Sequence, residues 1–555
     1  MNELTPILLE FFKKNKIYFL FSCIFLFIVP LNNVVLPSLY GKVVDSLMKG
    51  KSIVYYLTLV TLAIMTLQAL DFMSDYNDTH LLPKLQSYIR QKIVLRILNR
   101  YEDEIQELEV GNIISKLVKL PGIVTSLFER IKNFVLPNIL LHIFAMILFF
   151  RIDMYMGLTL LVTLIVLYGI VFKGPKACDN VSVKRDKAFN ALHEEIDDNL
   201  RNLYSIYGAN QKHVELKRME AHNEKYKDLF KQTVLCSFGI RAFLFPIVIA
   251  FVIALMIRIN CLITKKLVKV SLFIPVFFIT LYIINSFMAI DDNLRAMIFD
   301  WGVIQSSMDL IAQTPTRKAS KKYIQPLPTQ KAGIGMYNVY FKYPNVAKYN
   351  LENISLHINH GEKIAIVGEI GSGKSTVLKL LMNYYTPSQG VVYYDGVPFH
   401  QISLQQIRKK IGYVPQVPIL FNRTIIENIM YGNPNVSRKQ VEDLLKEIDM
   451  YDELTMKANG LDTLVGKNGS TLSGGQRQLV WVMRVILSEP ETIIFDEPTS
   501  SMDEKSKKRL RYLLDKYFHD KTVIMVSHDP SILSFAKRIL TIENGKVKQE
   551  NNTFF

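Results

Sequence analysis

Gly368-Glu369-Ile370-Gly371-Ser372-Gly373-Lys374-Ser375-Thr376 follows an apolar, β-branched run, Lys363 to Val367, and precedes Val377-Leu378-Lys379-Leu380-Leu381, a run of helix formers. Strand, glycine loop and helix in that order is the context of a phosphate-binding loop. The glycines let the backbone curl until successive N–H groups point inward, and the helix N-terminus behind them adds partial positive charge. In such a loop Lys374 neutralises phosphate charge and the Ser375 hydroxyl ligates Mg²⁺. A glycine-rich turn that binds nothing would not carry Gly, Gly-Lys-Ser and both flanks in register. A nucleoside triphosphate is the expected ligand.

Outward from this loop, the chain has 555 residues, is 49% hydrophobic and carries a net charge of +16. Length allows two to four domains. The basic excess fits a nucleic-acid binder or a membrane protein with basic cytoplasmic loops, and its distribution must decide. Cys23, Cys178, Cys236 and Cys261 are widely spaced, with no CxxC pair, and read as unpaired thiols.

Six apolar stretches precede residue 291, at about 17–40, 54–73, 133–150, 154–172, 240–258 and 270–290. Each is near the length a helix needs to cross a hydrocarbon core. A soluble core helix would show a polar face at helical period, which these lack. The first is longer than a signal-peptide core and has no clear cleavage site; Pro30 and Asn32-Asn33 mark a bend or polar break inside it. Short loops join spans 1–2, 3–4 and 5–6. Long charged segments, about 72–132 and 173–241, separate 2–3 and 4–5. The first repeats Leu81, Leu85, Ile89, Ile93 and Ile97 at helical spacing, and Asn190–Phe230 is similarly amphipathic. Both are expected to be helical hairpins that continue the spans far out of the bilayer. Most basic residues of this half lie there and in Lys13, Lys14 and Lys16, which makes that side cytoplasmic; Lys265, Lys266 and Lys269 run against the bias. Asp71, Arg241, Asp291, Asp292 and Arg295, near span ends, read as interface residues.

From Gln313 to Lys331 the chain turns polar, with Pro315, Pro326 and Pro328, and reads as a linker. Beyond it, short β-branched strands alternate with helices, so an α/β domain is expected. Thr492-Ile493-Ile494-Phe495-Asp496-Glu497 is an apolar strand ending in two carboxylates. About 120 residues after the phosphate loop, it becomes a candidate for Mg²⁺ binding through Asp496 and for polarising the attacking water through Glu497. Leu472-Ser473-Gly474-Gly475-Gln476 opens a helix with a second anion-binding N-terminus. Two phosphate sites with one nucleotide per domain make sense if the second serves a neighbouring chain's nucleotide.

Phosphate loop, Leu-Ser-Gly-Gly-Gln and Asp-Glu, in that order after six spans, resemble an ABC transporter of the exporter type: a half-transporter with one membrane domain fused to one nucleotide-binding domain. The resemblance implies a membrane all-α six-helix domain with long cytoplasmic extensions over residues 1–312, a linker at 313–331 and an α/β P-loop ATPase over 332–555. It implies that Tyr343 stacks on adenine, that Gln416 touches Mg²⁺, that Ser500 and Asp503 belong to the D-loop, and that His528 contacts the γ-phosphate. Gly368 through Thr376 would hold ATP, Ser375, Gln416 and Asp496 would hold Mg²⁺, and Glu497, His528 and Gln416 would be catalytic. Leu472, Ser473, Gly474, Gly475 and Gln476 would face the ATP of a partner chain. Two departures from the family's pattern are Lys467, in a loop usually acidic, and Met483-Arg484-Val485, usually Ala-Arg-Ala.

By resemblance the expected function is ATP-driven export of a hydrophobic, amphipathic or peptide-like substrate by a dimer, a homodimer before a heterodimer, working by alternating access. The nucleotide-binding domain and N-terminus would be cytoplasmic, and the hairpin tips would fall near Glu102–Glu107 and Asn199–Ser205. An ATP-gated or regulatory membrane protein without pumping is the alternative. A nucleic-acid-handling ATPase would share the cassette, but six spans argue against nucleic acid as a partner.

Overall fold

A computed structural model describes residues 4–103, 110–312, 332–343, 346 and 348–552. The chain divides into two compact units, residues 1–100 with 107–314 and residues 101–106 with 315–555; among the described residues the first is helical and the second is mixed α/β from 332 onward. The expected linker, 313–331, and most of the first expected hairpin tip lie outside the described residues.

Among the described residues six helices are long and apolar enough to cross a membrane: α2 (Lys16–Met48), α3 (Val54–Asn99), α4 (Leu117–Ile152), α5 (Met154–Arg201), α6 (Lys212–Thr264) and α7 (Val270–Ser307). They follow a short amphipathic helix, α1 (Leu4–Lys14). Helices are the expected answer to hydrocarbon, where every backbone N–H and C=O must be satisfied within the chain. At 48 and 53 residues, α5 and α6 run about 70–80 Å, more than twice a bilayer core. Their turn falls between Arg201 and Lys212, with a short helix Leu203–Gly208 inside it, close to the expected 199–205. The stripe Leu81, Leu85, Ile89 and Ile93 is fully buried against Leu4, Ile7, Phe11, Leu120 and Val124. Its period of four is therefore a packing face. The break expected in the first span is a π-helical turn, Leu31–Val35, directly after Pro30.

One expectation is overturned. Cys178 and Cys236 form a disulfide, with Cα atoms 6.0 Å apart, while Cys23 and Cys261 remain free thiols. The reason is hairpin geometry: the two cysteines lie 29 residues either side of position 207, in the turn joining α5 to α6, so antiparallel packing sets them opposite one another.

Several polar groups inside the helical unit are paired. Lys132, in a second π-helical turn (Ile131–Val135), donates to the Asp78 carboxylate, and both residues are buried. Asn77 donates to Ser22 Oγ at 2.9 Å, and His142 lies 2.8 Å from the Tyr168 hydroxyl and 3.1 Å from Ser286 Oγ.

The second unit holds two sheets. The smaller has the order β2 (Leu351–Ile358), β1 (Ile334–Phe341), β4 (Gln389–Tyr394), β5 (Val397–Pro398), all antiparallel. The larger runs β10 (Lys546–Asn552), β9 (Arg538–Glu543), β3 (Lys363–Val367), β8 (Thr522–Val526), β7 (Thr492–Asp496), β6 (Ile411–Val414). From β9 to β6 its pairings are parallel. Both faces are buried, as a parallel sheet requires. Ile364, Ile366, Ile494 and Ile524 enter one apolar core, and Ala365, Ile493, Phe495 and Val523 the other. Unbroken apolar runs such as Thr492–Phe495 follow from that two-sided burial.

Breaking a buried ion pair from one side strands the other charge. Asp78→Ala is therefore expected to destabilise the helical unit by about 3–5 kcal/mol. Asp78→Leu combined with Lys132→Met should recover most of that loss. Thermal unfolding in detergent measures both, and equal losses in the two variants would refute the pairing.

Candidate functional site

In open parallel sheets, ligands bind outside the carboxyl ends of the strands. Four adjacent strands here deliver the expected residues to one edge. β3 leads into the Gly368–Thr376 loop, β8 into Ser527-His528, β7 ends in Asp496-Glu497, and β6 leads to Gln416. Positions scattered over 160 residues of sequence become neighbours by strand order.

The loop closes on α8 (Lys374–Leu381), capped by Gly373 at φ 108°. That φ demands glycine, and a Cβ there would also press on Leu351 Cδ2 at 2.7 Å. Lys374 is buried and its ammonium donates to the carbonyls of Gly368 (2.6 Å) and Glu369 (2.9 Å), inside the curl of the loop. The buried Ser372 hydroxyl has no hydrogen-bond partner, an orphaned polar group at the loop's centre that a phosphate oxygen would satisfy. Tyr343 joins this loop helix through its hydroxyl, 3.2 Å from Thr376 Oγ1, and its ring packs edge-on against Phe341 and Tyr385. Tyr385 was not singled out by motif, because the aromatic cluster forms only across β1 and the segment after α8.

Asp496 is half-buried, and burial, reinforced by the adjacent Glu497, holds its carboxyl above the usual range; Lys379 and Lys374 oppose the rise. Glu497 adopts φ 46°, a left-handed conformation that disfavours a residue with a Cβ. Its carboxylate accepts from Gln416 Nε2 at 2.7 Å. Backbone outliers of this kind cluster at functional sites. His528 is exposed at the end of β8. Among the described residues no three His, Cys, Asp or Glu side chains gather into a metal site. Mg²⁺ held chiefly by phosphate oxygens and water needs only one or two protein oxygens, and Ser375, Asp496 and Gln416 are an all-oxygen set of that kind.

Ser473 caps α12 (Gly474–Ser488) through a reciprocal pair: its Oγ accepts from the Gln476 N–H at 3.2 Å, and Gln476 Oε1 accepts from the Ser473 N–H at 3.0 Å. Ser473 is exposed. Asp503 caps α13 (Glu504–Tyr517), accepting from the Ser506 N–H at 3.0 Å. Within α12 the Met483-Arg484-Val485 departure is wholly buried. Arg484 donates to the carbonyl of Asn428 at 2.9 Å and to its Oδ1 at 3.1 Å, and lies 4.5 Å from the Trp481 ring. Burial pulls its guanidinium down to about 10. Lys467 is exposed in a tight turn, Lys467–Gly469.

A carboxyl whose folded-state pKa is raised costs stability once ionised, so that cost grows as pH rises through the folded value. Asp496→Asn is expected to raise the melting temperature of the nucleotide-free protein at neutral pH, with the gain shrinking in acid. Fluorimetry across pH measures it, and a pH-independent gain would contradict the burial argument.

Comparison with known proteins places these features. The family model for the ABC transporter transmembrane region matches residues 19–288, and that for the ABC transporter matches 351–500. An export ATP-binding/permease protein of Rickettsia bellii (strain RML369-C) is 27% identical over 98% of this chain and 94% of its own length. A multidrug resistance ABC transporter ATP-binding/permease protein of Bacillus subtilis (strain 168) is 35% identical over 40% of this chain and 39% of its own. The solved structure of a bacterial Atm1-family ABC exporter with ATP bound superposes with a TM-score of 0.85, covering 97% of this chain and 95% of that one, at 19% identity. With both family models in one chain and this fold, the protein belongs to the ABC transporters, as a half-transporter of the exporter type that spans the membrane several times and binds ATP through its own cassette.

Proposed function

We propose that two copies of this chain, each with residues 1–312 as membrane domain and 332–555 as cassette, enclose two ATP molecules and export an amphipathic substrate by alternating access. The observation that carries this reading is the presence of two anion-suited helix starts in one cassette. The Gly368–Thr376 loop opens α8, and Ser473 opens α12 with its hydrogen bonds running to Gln476 rather than to that loop. A closed sandwich gives each triphosphate one start from each protomer.

In the proposed cycle Tyr343 packs on adenine, the 368–376 loop and Lys374 surround the phosphates, and Leu472–Gln476 of the partner closes from the other side. Mg²⁺, held by Ser375, Asp496 and Gln416, would neutralise phosphate charge. Glu497 takes a proton from the attacking water, and His528 contacts the γ-phosphate. Gln416, bonded to Glu497 at 2.7 Å, orients that carboxylate. The D-loop residues Ser500 and Asp503 meet the partner. Closure depends on ATP because its charge is neutralised only between the two surfaces; hydrolysis removes the γ-phosphate contacts and the halves part.

An amphipathic cargo is supported by a groove of about 290 Å³ between α6 and α7, lined by Leu244, Phe245, Ile249, Phe287 and Met288, with Arg241 at one end. Small molecules, lipids and peptides all fit that description. Cytoplasmic placement of the N-terminus and cassette rests on the basic hairpins. Of the contrary lysines, Lys269 has an acidic neighbour, its Nζ lying 4.0 Å from Asp45.

Glu497→Gln should cut turnover by about a hundredfold or more while ATP binding persists. Lys374→Ala should abolish labelling by a photoreactive ATP analogue. Sharing of sites is tested by complementation. Chains carrying Lys374→Ala and chains carrying Ser473→Arg should each be inactive alone, whereas co-assembled they retain one intact composite site and regain turnover. Inactive mixtures would refute the sandwich. ATPase stimulation of reconstituted protein by lipids, peptides and amphiphiles separates a pump from a gated channel.

A further inference from the structure

The Ser473 turn is held from two sides by the same neighbour. On one side glycines allow close approach: a Cβ at Gly474 would sit 2.8 Å from the Ser501 carbonyl oxygen, and one at Gly475 2.6 Å from the Ser506 hydroxyl. Any side chain there would push α12 away from the D-loop and the start of α13. On the other side lies a charged cluster. Glu453, on α11 (Tyr451–Thr455), accepts from Gln476 Nε2 through one oxygen at 2.6 Å and from Arg509 Nη1, on α13, through the other at 2.9 Å. The Arg509 side chain is 8% exposed and also donates to the Asp449 carbonyl; Lys505 Nζ lies 3.9 Å from Glu453.

The side-chain amide of Gln476 is thereby used at both ends. Its oxygen accepts from the Ser473 N–H and its nitrogen donates to Glu453. Since Ser473 Oγ accepts from the Gln476 N–H, its own proton is left for an acceptor outside the helix. A lone carboxylate beside a phosphate-facing helix start would repel the ligand. Arg509 and Lys505 offset that charge together with that of the Asp449 carboxylate, 3.7 Å from each, and leave the hydrogen-bonding oxygen in place. Burial pushes the Glu453 carboxyl up, but the Gln476 amide and Arg509 guanidinium more than offset this and hold it below the usual range.

We propose that Glu453 is a positioning residue for nucleotide turnover: it fixes Gln476, and through Gln476 the Ser473 turn, and by binding Arg509 ties that turn to the D-loop helix. The two segments then meet the partner protomer's nucleotide as one rigid element. This rests on the two-protomer sandwich above. Glu453 itself does not touch ATP.

The test uses the full chain reconstituted in lipid. Glu453→Leu with Arg509→Leu removes both charges together, the change least damaging to a buried pair. Turnover should fall by about tenfold, the scale of one lost hydrogen bond to a charged group. KM for ATP and labelling of the phosphate loop by azido-ATP should stay unchanged. Glu453→Gln should lower turnover in the native chain but cause no further loss in a Gln476→Ala background, because the two act in series. Full turnover of the double-leucine variant, or losses that multiply in the Gln476→Ala background, would overturn the proposal. If the double-leucine variant fails to fold, the Glu453–Gln476 cycle decides alone. Retention of ATP after desalting by Glu497→Gln protein separates the two levels. No retention overturns the sandwich itself. Retention that survives Glu453→Gln at unchanged ATP concentration overturns only the positioning role.

Discussion

Charge at the edge of a dry sheet is the constraint on which the ATPase unit depends. A parallel sheet buried on both faces gives a rigid platform, but its carboxyl edge penalises each ionised group set there. The protein answers by giving several of these groups a protein partner. Lys374 rests on two loop carbonyls, Glu497 on the Gln416 amide, and the Ser473 turn on Gln476. These partners are neutral, so phosphate oxygens, which form charge-assisted bonds, can replace the carbonyls around Lys374 without leaving a charge unmet. Asp496 has a weaker hold, accepting from the Tyr413 hydroxyl at 3.5 Å, and its carboxyl is held up by burial and by its neighbour's charge. That is where a divalent cation gains most.

The helical unit obeys the same rule in a harsher solvent. Hydrocarbon offers no hydrogen bonds, so polar side chains within it pair with each other. Within the spans His142 meets Tyr168 and Ser286, and in the helical segments continuing from them Lys132 meets Asp78 and Asn77 reaches Ser22. Two of the helices carry a π-helical turn, and one of these turns holds Lys132 itself. A widened turn rotates the residues that follow it, and so can set a polar group toward a partner that regular α-helical periodicity would miss.

What could be read from sequence was what is local in sequence. The phosphate loop, the Asp496-Glu497 strand end and the Ser473 cap each occupy fewer than ten residues, and their geometry follows from backbone chemistry. The buried stripe from Leu81 to Ile93 was legible because helical period is local too. Partnerships across the fold were not. Lys132 and Asp78 are 54 residues apart, His142 and Ser286 are 144 apart, and Glu453 and Arg509 are 56 apart. Nothing in composition says which charge meets which. The disulfide is the instructive miss, since equal distances from a hairpin turn place two cysteines opposite each other. Motif spacing carries no trace of this pairing, whereas the antiparallel hairpin does.

Glu453 illustrates how a shared motif can be served by residues no motif names. The Leu472–Gln476 turn must present N–H groups and a hydroxyl outward, which leaves its orientation to whatever packs behind it. Gly474 and Gly475 admit the D-loop helix closely on one side, and on the other a carboxylate bridges Gln476 to Arg509 of that same helix. Contact on one side alone would leave a pivot, since a helix end held along one line can still rock about it. Contact on both sides removes that freedom. On the proposed sandwich, a nucleotide would then meet a second helix start already oriented before it arrives.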